Sequence, residues 1–155
     1  MGFDFFMVNK PKEAVGYEPE MPDRPDWFRV SVRGIEALFN GMRLARVLEG
    51  KTPKPVLPVR DERNGAELQS LLATPSSIAN AVPYWKFSDN SGWLVSPAEC
   101  EIVASGLERR LNEEPQTLRP KGWPESKPLD GYLALLREWA AFNRLASSHG
   151  GYRVR

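Results

Sequence analysis

Apolar and polar positions alternate with period two at three places along the chain and recur with helical spacing at several others. Phe3, Phe5 and Met7 alternate with Asp4 and Phe6, which predicts a first strand. From 27 to 33, Phe28, Val30 and Val32 alternate with Arg29, Ser31 and Arg33, which predicts a second strand with one wet face. These two are expected to pair. Ile35, Leu38, Phe39, Met42 and Ala45 then fall at helical spacing, predicting a helix over 34–48 that Gly50 ends.

A short helix is predicted over 66–73 with Asn64 as its cap, and another over 75–81 with Thr74 as cap and Pro75 at the first helical position. Trp85 and Phe87 face Trp93 and Val95 across Ser88-Asp89-Asn90-Ser91-Gly92, a run of turn formers, so a hairpin is expected there. Ser96, Pro97 and Glu99 have the spacing of a capping box with Pro at the first helical position. The helix they start carries a stripe of Cys100, Val103, Ala104, Leu107 and Leu111. A last helix, capped by Asp130 and running to about residue 148, places Tyr132, Leu135, Leu136, Trp139, Phe142 and Ala146 on one face. Gly150-Gly151 ends it, and Tyr152-Arg153-Val154-Arg155 reads as a terminal strand.

The 14 prolines gather between these elements and mark long connections at about 10–26, 50–65 and 112–129. Connections of this length are uncommon in compact domains and are candidate binding loops. The expected architecture is a single α+β domain over 1–155, with four or so helices packed on a small, mainly antiparallel sheet that includes both termini. A chain of 155 residues buries roughly 70% of its unfolded surface, enough for a core without staples.

Charge narrows the function classes. Basic and acidic side chains are balanced in each half, the net charge is +1, and no basic patch carries interleaved aromatics, so general nucleic-acid binding is not expected. No run is long and apolar enough for a bilayer, and no membrane association is expected. A single cysteine is compatible with a reducing cytoplasm, the expected compartment.

The common phosphate, dinucleotide, zinc-protease and nucleophile-elbow motifs are missing, and one histidine with one cysteine cannot build the usual zinc site. No cofactor or metal is therefore expected. Cys100 sits on an apolar stripe, which favours packing over nucleophilic duty, and His149 reads as a C-terminal helix residue.

Polar residues that break the apolar pattern are the candidate binding residues. Asn143 lies near the centre of the last helix's buried face and Arg46 toward that of the first, where each must find partners. With Asp89 and Asn90 of the turn they either satisfy the core or line a small polar pocket. Trp123 stands in the Pro-rich loop, where it either pins that loop to the body or contacts a partner.

Three blocks, Trp27-Phe28-Arg29-Val30 with Gly41-Met42, then 87–100, then His149-Gly150-Gly151-Tyr152-Arg153-Val154, resemble those of small bacterial and phage-associated proteins of unknown function. The resemblance implies no activity, cofactor or catalytic residue. The functional expectation is a non-enzymatic protein-interaction or regulatory protein of inhibitor, immunity or phage accessory type, with a protein partner. The alternative is a small-molecule binder or enzyme with a polar pocket near Asp89, Asn90, Arg46 and Asn143.

Overall fold

The computed structural model describes residues 2–155. Strands β1 (Gly2–Met7), β2 (Trp27–Ser31), β5 (Trp93–Val95) and β6 (Tyr152–Val154) form one antiparallel sheet in the order β2-β1-β6-β5. Helices α1 (Val32–Leu44), α3 (Pro97–Glu113) and α4 (Asp130–Ala146) pack over it, and α2 (Gly65–Leu72) lies beside its β5 end. A two-residue parallel pair, β3 (Leu48–Glu49) with β4 (Val82–Pro83), links the end of α1 to the segment before β5. The chain is thus an α+β domain of four helices on a four-stranded antiparallel sheet that contains both terminal strands.

Register follows the period-two pattern. Phe5 lies opposite Phe28 on one side and Val154 on the other, so the residues of the inner face meet in one layer. Trp139 of α4 drops into that layer, with ring centroids 4.7 Å from Phe5 and 5.7 Å from Phe142, the latter pair stacked. Such aromatic contacts add stabilisation beyond the area they bury. Trp27, by contrast, points to the outer face, where it stacks on Phe6 and donates from Nε1 to Asp4 at 2.8 Å.

Several expected boundaries move, each for a local reason. The second strand stops at Ser31 because the Ser31 hydroxyl accepts from the Gly34 amide and caps α1 two residues earlier than the spacing suggests. That helix ends at Leu44 and not at 48. Arg46 takes a φ of 60° and closes a Schellman motif, its amide donating to the Arg43 carbonyl and that of Val47 to Met42. Leu48 is thereby freed to pair with Val82.

No helix forms over 75–81. The Thr74 hydroxyl donates to the Leu71 carbonyl and finishes α2 instead of starting a new helix. Asn64 precedes α2 without capping it, because its side chain is bonded to Asp61 and Val59 instead. At the last helix, Asp130 is the first helical residue and Leu129 holds the cap position.

The expected hairpin is also replaced. Tyr84–Phe87 forms a turn of 3-10 helix, and β5 pairs with β6 instead of with this segment. Trp85, Lys86 and Phe87 are buried in succession, which a strand with one face in water does not achieve. The side-chain meeting across the turn survives, since the Trp85 and Trp93 rings pack edge to face at 4.7 Å. The capping box forms as expected: Ser96 Oγ accepts from the Glu99 amide at 3.2 Å, and Glu99 Oε1 accepts from the Ser96 amide at 3.0 Å.

Candidate functional site

The segment between β3 and α2 is an irregular strap whose prolines at 53, 55 and 58 fix φ and push the preceding residues to extended conformations. Its first end is knotted to Glu49. The Glu49 carboxylate accepts from the amides of Lys51 at 2.6 Å and Thr52 at 2.9 Å, from the Ser76 hydroxyl at 2.8 Å and from the Thr52 hydroxyl. Burial works to raise the Glu49 pKa, but these donors outweigh it and hold the group down at about 2. Trp85 Nε1 donates to the Thr52 carbonyl at 2.9 Å, tying the knot to the core.

The other end of the strap is closed by Asn64. Its amide nitrogen donates to the Val59 carbonyl at 2.7 Å while its oxygen accepts from the Asp61 amide at 3.0 Å. Midway, Lys54 pairs with Asp89 and lies 5.6 Å from the centroid of the Trp93 ring. Between these fastenings Leu57 turns in against the cluster of Leu68, Leu72, Trp85 and Trp93, whereas Val56 and Val59 stand 91% and 90% exposed.

Strap, α2 and β6 border an open cleft of about 680 Å³. Arg60, Arg153 and Arg155 line it together with Leu57, Gln69 and Asn90, and no lining residue is acidic. Arg153 is held in place by donating to the Gln69 side-chain oxygen at 2.7 Å and to the Gly92 carbonyl at 3.3 Å. Partial burial and the nearby Arg155 charge both lower the Arg153 pKa.

The five residues singled out from the sequence separate. Asp89 accepts from Lys54, from the Ser91 amide at 3.0 Å and from Trp93 Nε1 at 2.8 Å; burial pushes its pKa up, and these bonds bring it below the usual carboxylate range. Asn90 is exposed and lies on the cleft wall. Asn143 is fully buried, donating to the Trp139 carbonyl at 2.9 Å and accepting from the Tyr152 hydroxyl at 3.0 Å, so it satisfies the core and faces no pocket. Arg46 is not on a buried face: its left-handed backbone turns it to solvent, beside Asn80 and Arg109 in a separate groove. Trp123 pins its loop, packing against Tyr132 with centroids 5.5 Å apart, donating to the Lys127 carbonyl and carrying the Lys127 ammonium 4.0 Å above its ring. Only Asp89 and Asn90 therefore lie together, and the arginines beside them come from distant positions that no local pattern marks.

Two chemically charged features are structural. Cys100 is fully buried, and desolvation pushes its thiol well above the ordinary range, which leaves it protonated. Lys86 is also fully buried, donating to Glu99 Oε1 at 2.7 Å and to the Leu94 carbonyl at 2.8 Å. Burial lowers the Lys86 pKa and the Glu99 carboxylate opposes that shift. The sequence signal for this pair was present in two pieces, a lysine between two core aromatics and a capping-box glutamate, without anything to join them. Among the described residues no group of three or more His, Cys, Asp or Glu side chains could hold a metal, and no helix is long and apolar enough to cross a membrane. No known protein family, curated protein or solved structure matches this chain.

Proposed function

We propose that the chain is a non-enzymatic protein-interaction or regulatory protein, of inhibitor, immunity or phage accessory type and of bacterial or phage origin, that binds a protein partner in the cytoplasm. The observation that carries this reading is the fastened strap with Val56 and Val59 in water. An apolar side chain on a surface loop gains nothing from folding alone, yet here the backbone on both sides is tied down by buried or multiple hydrogen bonds. A preorganised apolar ridge lowers the ordering cost of association, which is what a recognition surface requires.

The paired substitution Val56→Asp with Val59→Asp tests it in the native host. Both side chains are solvated, so the melting temperature is expected to stay within about 2 °C of the parent, while a protein co-purifying in stoichiometric amount with the parent is lost. Retention of that protein by the variant contradicts the reading.

The cleft supports a second reading, a small-molecule binder or enzyme. Its volume of about 680 Å³ lies in the range of about 300–1,000 Å³ typical of ligand sites, and several polar groups converge on it. Native mass spectrometry of the purified chain separates the two readings: a retained metabolite with no protein partner favours the second.

A further inference from the structure

The cleft beside the strap has a charge pattern of its own. Three arginines line a wall that includes no acidic side chain, in a chain whose net charge is only +1. Among the described residues Arg60, Arg153 and Arg155 have no carboxylate side chain within ion-pair distance, as is true of most arginines of this chain outside Arg24, Arg29, Arg110 and Arg144, and what sets the three apart is that they border one cleft. Folding therefore places three arginines along one cleft with no acidic side chain among its lining residues.

We infer that this cleft receives an acidic segment of the protein partner, a carboxylate side chain flanked by an apolar one. The inference rests on the protein-binding reading above and specifies its chemistry. Guanidinium forks match carboxylates bidentately, and Arg153 is already oriented by Gln69 and Gly92, so little freedom is lost when it engages. The remaining wall is apolar at Leu57, Leu68 and Leu72, which suits an aliphatic neighbour of the acid. No aromatic side chain lines the cleft, so the stacking platform that single-stranded nucleic acid uses is missing from its wall. The cleft is also continuous with the strap: Leu57, Pro58 and Arg60 form its edge while Val56 and Val59 stand on the strap's solvated side. One partner surface can reach both.

The test is a titration of the 15N-labelled full chain, read by amide shifts, with the capped peptide Glu-Leu-Glu-Leu-Glu as probe and Lys-Leu-Lys-Leu-Lys and inorganic phosphate as comparisons. The acidic peptide is expected to give saturable shifts at Gln69 and Gly92 that weaken with added salt. The paired variant Arg60→Gln with Arg155→Gln is expected to bind it at least about tenfold more weakly, and Arg137→Gln on the exposed side of α4 to bind as the parent does. A response to phosphate as tight as to the peptide overturns the inference, as does a response the paired variant leaves unchanged or no saturable response at all. If the peptide fails while Val56→Asp with Val59→Asp still abolishes partner capture, the protein-binding reading stands and the cleft assignment alone falls.

Discussion

Glu49 fastens the first end of the strap, because three donors from Lys51 and Thr52 and one from Ser76, beyond α2, meet on its carboxylate. Its folded pKa of about 2 lies below the ordinary value of 4.5, so the ionised form is favoured in the folded state. A carboxylate with a depressed folded pKa contributes stability that is fully present above 4.5 and is lost as pH falls toward about 2. Thermal melts of the parent and of Glu49→Gln are therefore expected to differ most near neutral pH and to converge as pH falls through that window. A difference that stays constant down to pH 2 would show that the knot does not depend on the charge. Lys86 and Glu99 are the opposite kind of pair, sealed in the core, where removing one partner strands a charge and replacing both with apolar groups can be neutral.

At the scale of elements, the join between α4 and β6 sets the position of Arg153. Gly150 and Gly151 both have positive φ, and the Gly151 amide returns to the Ala146 carbonyl at 2.9 Å. A Cβ on Gly151 would collide with the Val95 carbonyl oxygen, whereas one on Gly92, which also has positive φ, would meet open space. Gly92→Ala is expected to cost about 1–2 kcal/mol from backbone conformation alone, and Gly151→Ala clearly more; urea unfolding of the two variants compares them, and equal costs would contradict the close approach.

Elements of this kind were legible where the signal is local. The glycine pair, the Ser96–Glu99 box and the alternation in β1, β2 and β6 each depend on residues a few positions apart, and the structure keeps them. Partner choice was not legible. Trp93 to Val95 reads equally well as the mate of 85–87 or of 152–154, and only the burial of three consecutive side chains at 85–87 decides between them. Thr74 and Arg46 misled for a related reason: a cap residue can close one helix as readily as open another, and a helical periodicity continues on paper past a left-handed residue. Of the candidate site, Asp89 and Asn90 were visible as a polar turn. Arg60, Arg153 and Arg155 were not, because their convergence is a product of sheet order and of the strap's path.

Taken whole, the molecule is a helix-covered sheet with one proline-rich strap fastened across its β5 end and an arginine-lined cleft beneath it. Its aromatic core is dense and its buried polar groups are mostly paired, so the scaffold is built to hold that surface still. A protein partner is proposed to bind at this surface. Hydrogen–deuterium exchange of the full chain, alone and with the protein it captures in its host, tests this directly. New protection is expected to concentrate in residues 54–64 and at Asn90 to Gly92, with the outer sheet face around Phe6 and Trp27 unchanged. Protection centred on that outer face, with the strap exchanging as in the free chain, would contradict it.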